Sequence, residues 1–246
     1  MKIRSIFMSM LAVVALAGCS KDTAENKTGG GDFNLAYLSL TIKTPGKAST
    51  RAAGTSEEKQ ASEAENKLNN LYAITFDASR KIVRYGTEPY AKELTNLSTG
   101  TSTSHSPDVL KVTSAAKELL LIGNPGTQLI AVIASVNSGT ITTFDQLNQA
   151  IASVTVGEIQ SSALGFTMVN ADVNMLTSID NKIKIAADYE GADASAKEAA
   201  AIAAAQTDRL SVLIERLTAK VQVNLSSPTV PAGAIFVFKG WCLDVL

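Results

Sequence analysis

The stretch Phe33–Arg51, FNLAYLSLTIKTPGKASTR, decides how this chain is read. Its first half alternates with the two-residue period of a strand. Ala36, Leu38, Leu40 and Ile42 fall on one face, and Phe33, Leu35, Tyr37, Ser39, Thr41 and Lys43 on the other. One face is therefore wholly apolar and the other amphipathic. Pro45-Gly46 ends the strand, because proline has no N–H to donate and glycine permits a turn. A tract of small and polar residues follows and closes on Arg51. Two readings stay open: an ordinary first strand followed by a solvated arginine, or a strand on a cleavable tether, built to be removed.

Upstream of that strand the chain reads as an export signal. Lys2 and Arg4 make a basic start, Ile6–Leu16 is a short apolar run, and Leu16-Ala17-Gly18-Cys19 has the form of a lipobox. Its small residues fit a signal-peptidase groove, and the Cys19 thiol is the acceptor of a diacylglyceryl group. The apolar run is shorter than the ~20 residues a membrane-spanning helix needs. Acylation contributes about 0.8 kcal/mol per buried methylene, so more than one chain makes a durable anchor. Residues 1–18 are thus expected to be a signal peptide. Residues 19–32 form the acylated cysteine with a tether loosened by Gly29-Gly30-Gly31, residues 33–51 the strand with its own tether, and residues 52–246 the body.

The chain has 246 residues, a formal net charge of −1 and 46% hydrophobic residues, which bounds it to one large or two small domains with enough apolar matter for a core. Near-neutrality argues against a nucleic-acid or polyanion partner, since there is no basic surplus to neutralise phosphates. Aromatic content is 5% with the single tryptophan Trp241, which argues against an aromatic platform for glycans. With Cys19 lipidated, Cys242 has no partner and no histidine near it in sequence; it reads as a structural thiol.

Along the body, Leu71–Asp77 alternates strongly, turns at Ala78–Lys81 and runs back through Ile82–Tyr85 as a hairpin. Leu94–Pro107, rich in Ser and Thr, reads as a long exposed loop. Val109–Val112 and Glu118–Ile122 are strands, and Leu129–Val136 is either a strand or a buried helix. Thr143-Phe-Asp-Gln146 fits a capping box opening a short helix with Phe144, Leu147, Ile151 and Val154 on one face. Phe166–Val169 and Lys182–Ala186 look like strands. Asp193–Gln206 is an alanine-dominated helix, and Thr207–Arg216 either extends it or begins a strand. Lys220–Leu225 and Ala234–Leu246 complete the set. With about eight short strands, one main helix and frequent Ser, Thr, Gly and Pro connections, the chain is expected to be mainly all-β, a β-sandwich with one or two helical decorations. Because it ends on the apolar run FVFKGWCLDVL, Leu246 is either a truncation point or the end of a strand tucked into the sheet.

Chemistry is hard to find. His105, the lone histidine, sits in the Ser-rich stretch Ser102–Pro107 and reads as solvated, because a general base needs an orienting partner. The patterns HExxH, CxxC, P-loop and GxGxxG are missing, and Gly165–Asn170 lacks the serine and second glycine of a nucleophile elbow. Asp188, Glu190 and Asp193 gather around Gly191; a calcium loop wants alternate oxygen ligands closed by a bidentate glutamate, a spacing these residues only suggest, and they read as a solvated turn. No enzyme activity, cofactor or metal site is expected.

Taken together, the lipobox, the spacer, the apolar strand and arginine-terminated tether, the LYAITFD hairpin, the GFTMVN segment, the helix leading into Glu215–Val221 (ERLTAKV) and Phe236–Val245 resemble the N-terminal domain of fimbrillins, the subunits of type V pili in Bacteroidales. Ser20-Lys21-Asp22 is faintly similar to the surface-export signals of lipoproteins from that order. The resemblance implies a transthyretin-like β-sandwich, export to the outer membrane as a lipoprotein, and no enzyme activity. It further implies that an arginine-specific protease removes anchor and first strand together, after which a strand of another fimbrial subunit fills the groove by β-strand addition. Carried onto these residues, Cys19 is the acylated cysteine and Phe33–Thr44 the displaced strand, its groove-facing residues being Ala36, Leu38, Leu40 and Ile42. Arg51 is then the cut site and Ala52 the new N-terminus. Family shaft subunits carry a second sandwich with the donor strand, so a C-terminal domain is expected to be missing after Leu246. The competing readings are a fimbrial anchor or assembly lipoprotein that keeps its lipid, and a surface glycan-binding lipoprotein using Trp241, Tyr85, Tyr90 and Tyr189.

Overall fold

The computed structural model describes residues 34–44, 67–98, 103–155 and 165–217. Cys19, Phe33, Pro45-Gly46, Arg51, Ala52, Trp241, Cys242 and the expected strands Lys220–Leu225 and Ala234–Leu246 lie outside the described residues. Within them the chain forms, in order, β1 (Leu35–Leu38), β2 (Leu40–Lys43), β3 (Leu71–Phe76), β4 (Ile82–Val83), β5 (Ala91–Glu93), β6 (Ser104–His105), β7 (Leu110–Thr113) and β8 (Glu118–Gly123). Helices α1 (Thr127–Asn137) and α2 (Phe144–Ala152) come next, then β9 (Met168–Asn170), β10 (Thr177–Ser178), β11 (Lys184–Ile185), helix α3 (Ala194–Thr207) and β12 (Leu210–Arg216).

The strands make two sheets. The smaller runs β11-β1-β7, and the larger runs β4-β3-β8-β9-β12-β2-β6, with β5 also on β3 and β10 on β8. Inward-pointing side chains of both sheets merge into one core: Ala36 and Leu38 of β1, Leu40 and Ile42 of β2, Leu110 and Val112 of β7, Leu119 and Leu121 of β8, Met168 of β9, Val212 and Ile214 of β12. This is a mainly all-β sandwich with helical decorations.

The larger sheet is covered on its other face as well. Ile74, Phe76, Leu120 and Ile122 pack there against Leu129, Ile133 and Val136 of α1 and Phe144, Leu147 and Ile151 of α2. Burial on both faces explains why LYAITF and ELLLIG read as nearly continuous apolar runs. The Phe76 and Phe144 rings meet edge to face, 5.6 Å between centroids. A third, smaller cluster lies outside the smaller sheet, where Tyr37 meets Ala186, Ala201 and Ala205.

Three helices rather than one main helix are present among the described residues, and each has a local cause. The run left open as strand or helix is helical: Leu129, Ile133 and Val136, spaced by four and three, form the one buried stripe of α1. At α2 the Thr143 hydroxyl accepts from the Gln146 amide as expected, but the Gln146 side chain accepts from Thr142 N rather than from Thr143 N, so the box is shifted by one residue. Asp193 caps α3 by accepting from Ala196 N at 2.8 Å. That helix ends at Thr207, and Asp208, with φ −111° and ψ 59°, turns the chain into β12. The alternating LSVLI therefore belongs to the sheet.

One reading is overturned. Leu94–Pro107 is not simply an exposed loop with a solvated histidine: Ser104–His105 is the edge strand β6, paired antiparallel with Ile42–Lys43, and His105 is only 1% exposed. Ser and Thr suit a polar edge strand as well as a loop, and composition does not separate the two.

Candidate functional site: the slot held by the first strand

The alternation of Ala36, Leu38, Leu40 and Ile42 is realised in full. All four are at most 1% exposed and point into the core between the sheets. The expected single strand is nevertheless two. β1 lies in the smaller sheet and β2 in the larger, with Ser39 between them, so the chain crosses from one layer of the sandwich to the other. The period of two survives because both halves aim the same set of residues into the shared core.

Each half is an internal strand of its sheet, with a partner on either side. β1 pairs antiparallel with β7 over Leu35–Leu38 and with β11 at Ala36 and Tyr37. β2 pairs parallel with β12 over Leu40–Lys43 and antiparallel with β6 at Ile42 and Lys43. Three further backbone bonds pin the start, crossover and end. Ser114 N–H donates to Asn34 O (2.9 Å), Leu210 N–H to Ser39 O (2.9 Å), and Thr44 N–H to Thr103 O (3.0 Å). A segment seated in this way leaves a slot, flanked on both sides by strands with unpaired ladder groups, if it is withdrawn. Three large aliphatic side chains at about 1.5–3 kcal/mol each would go into water with it, so an empty slot is an unstable one.

The second face of β1 carries a contact that the residue pattern alone did not single out. Tyr37 is buried beneath α3, and its hydroxyl donates to Glu198 Oε2 at 2.7 Å. Burial, and then the Glu198 carboxylate, pushes the Tyr37 phenol well above its ordinary ionisation range. Beyond α3, Lys182 and Lys184 both reach the Asp208 carboxylate and hold its pKa down to about 2. This pair of contacts ties β11, a neighbour of β1, to the α3–β12 turn.

Two hydroxyls in the strand are less well served. Ser39 is fully buried and Thr44 is 4% exposed, and among the described residues neither Ser39 Oγ nor Thr44 Oγ1 has a hydrogen-bond partner. Two buried amides elsewhere are tied in, whereas Asn70 Oδ1 and Arg209 Nη1 also lack a partner among the described residues. Asn170 receives Leu121 N–H on Oδ1 (2.6 Å) and donates through Nδ2 to Leu119 O (2.9 Å). Asn124, at φ +49°, accepts from Asn69 N and donates to Lys67 O and Phe166 O. Gly165 makes room for that amide, since a Cβ there would stand 2.7 Å from Asn124 Nδ2.

The other residues singled out from sequence are not gathered into a second site. Tyr189 packs into the cluster around Tyr37, whereas Tyr90 packs on the opposite core with the Arg84 guanidinium 4.3 Å above its ring. They do not share a platform. Asp193 is occupied as a helix cap, and among the described residues no three acidic, histidine or cysteine side chains are grouped to hold a metal.

The fold and the slot define a class: a β-sandwich whose first strand is an internal, two-sheet insert. The family model of the major fimbrial subunit protein (FimA) matches residues 36–210, and the chain belongs to that family. No curated protein matches it. Among solved structures it is similar to a candidate cell adhesion protein from Parabacteroides distasonis ATCC 8503 (14% identity, TM-score 0.37), covering 61% of this chain and 30% of that one. It is also similar to a candidate cell adhesion protein from Bacteroides eggerthii DSM 20697 (15% identity, TM-score 0.33), covering 61% of this chain and 37% of that one. The chain thus spans about a third of the length of either protein.

Proposed function

We propose that this protein is a structural subunit of a surface fimbria. It is exported as a lipoprotein acylated at Cys19 and assembles by strand exchange after an arginine-specific protease cuts between Arg51 and Ala52. Membership of the major fimbrial subunit family supports the structural role. The observation that carries the mechanism is the seat of residues 34–44, flanked by partner strands in both sheets, apolar toward the core, and ahead of every other described element. A strand in that place leaves by a single cut on its C-terminal side, and the slot it vacates accepts another strand through main-chain hydrogen bonds, with alternate side chains setting register. The partners are other fimbrial subunits, and the outer membrane holds the precursor before the cut.

Substituting Arg51→Ala is the test. The variant is expected to fold with an unchanged circular dichroism spectrum, to retain Cys19 and its lipid, and to form no fibres. Fibres built from the Arg51→Ala protein would overturn the proposal. Assembly-competent fibres whose subunits keep the lipid would instead favour an anchor that never loses its strand.

A further inference from the structure

The slot is better suited to another occupant than to the one it holds. Along its core-facing edge the resident strand fits: Ala36, Leu38, Leu40 and Ile42 are all at most 1% exposed, with Ala36 opposite Val112 and Ile185, and Ile42 opposite Val212. At the crossover and at its end it does not. Ser39 Oγ and Thr44 Oγ1 are buried without a partner among the described residues, while the backbone at both positions is bonded, Ser39 O to Leu210 N and Thr44 N to Thr103 O. The backbone therefore belongs there and the hydroxyls do not. A buried hydroxyl left unpaired costs about 1–3 kcal/mol, and an apolar residue of the same shape avoids that cost.

Resting on the exchange reading above, we infer that the strand which replaces residues 34–44 is an extended segment of stated chemistry. It carries a small-large-large-large apolar face matching Ala36, Leu38, Leu40 and Ile42, an alanine-sized apolar residue at the place of Ser39, and a β-branched apolar residue at the place of Thr44. The two hydroxyls make the resident strand the weaker occupant, so exchange runs toward the incoming strand. The Tyr37–Glu198 bond acts in the opposite sense and holds the resident strand until an aligned competitor arrives.

The test uses the full chain cut after Arg51, with the resident strand still seated, and four synthetic peptides of residues 34–44: unaltered, Ser39→Ala, Thr44→Val, and the double substitution. The double peptide is expected to displace the resident strand at about one tenth of the concentration the unaltered peptide needs, which corresponds to about 1.4 kcal/mol. Each single substitution is expected to fall between. Equal concentrations for all four overturn the inference while leaving exchange itself standing. A parallel measurement needs no exchange: the uncut chain carrying Ser39→Ala and Thr44→Val is expected to unfold at a higher temperature than the unaltered chain, and a lower unfolding temperature overturns the inference. If the uncut variant is stabilised but no peptide ever enters the cut chain, the exchange reading fails and the assignment of the incoming strand fails with it.

Discussion

The first strand and the β3–β8 pair are both largely buried, yet they are held in different ways. β3 and β8 pair over six consecutive positions, from Leu71 opposite Gly123 to Phe76 opposite Glu118, and are buried on both faces, by the inter-sheet core and by α1 with α2. Beside them Asn170 and Asn124 bond the backbone groups they face, while Asn70 Oδ1 is left without a partner among the described residues. The β1–β2 segment is instead two four-residue pieces in two sheets, joined at a buried serine, with one face in the main core and Tyr37 under a helix made largely of alanine. On the exchange proposal, burial alone would not separate a permanent strand from an exchangeable one; continuity of pairing would.

Truncations in the core break this comparison most sharply. Leu121→Ala and Leu38→Ala are each expected to destabilise the intact chain by about 2–5 kcal/mol in urea denaturation. In the chain cut after Arg51, an added peptide of residues 34–44 should restore stability to the Leu38→Ala form and do nothing for the Leu121→Ala form. Rescue of both, or of neither, would erase the distinction between the regions. Next in size is Asn170→Ala, which takes from the buried Leu121 N–H its bond to Asn170 Oδ1, at about 1–3 kcal/mol. Hydrogen exchange at the Leu121 amide should accelerate with it, while the amides of β1 keep their protection.

Smaller again is Tyr37→Phe, expected to cost about 1 kcal/mol through the lost bond to Glu198. Its pH dependence is more telling. Because the folded-state pKa of Tyr37 is raised above the ordinary 10.0, the neutral phenol favours the folded chain, and the benefit is complete below pH 10. As pH rises above 10 toward the elevated folded value that benefit is lost, so the unaltered chain should weaken in alkali more steeply than the Tyr37→Phe chain. Asp208→Asn has the smallest expected effect, because the carboxylate is partly exposed and screened. With its pKa lowered from 3.8 to about 2, its contribution is present above the unfolded value and lost as pH falls through that interval. An acid titration of stability should therefore show a small step there that the asparagine variant lacks.

Much of this was legible in the residues, and the exceptions are physical. The inward face Ala36-Leu38-Leu40-Ile42 and the Leu71–Tyr85 hairpin could be read because alternation follows directly from strand geometry. The switch of sheets at Ser39 could not, because the alternation runs through it unbroken. Helix α1 was ambiguous because Ile, Val and Leu occur on all sides of it, and only packing selects Leu129, Ile133 and Val136 as the buried stripe. The position of α3 over Tyr37 was hidden for the opposite reason: alanine on every face gives no apolar stripe to orient. His105 was misread because a two-residue edge strand of polar residues has no signature distinct from a loop.

The measurement that bears most directly on an exchangeable first strand is mass spectrometry of the N-terminus of the protein recovered from intact fibres. The account predicts a chain beginning at Ala52, with residues 1–51 absent from the fibre. Fibre-borne subunits that still begin at a lipidated Cys19, with residues 34–44 in place, would contradict it.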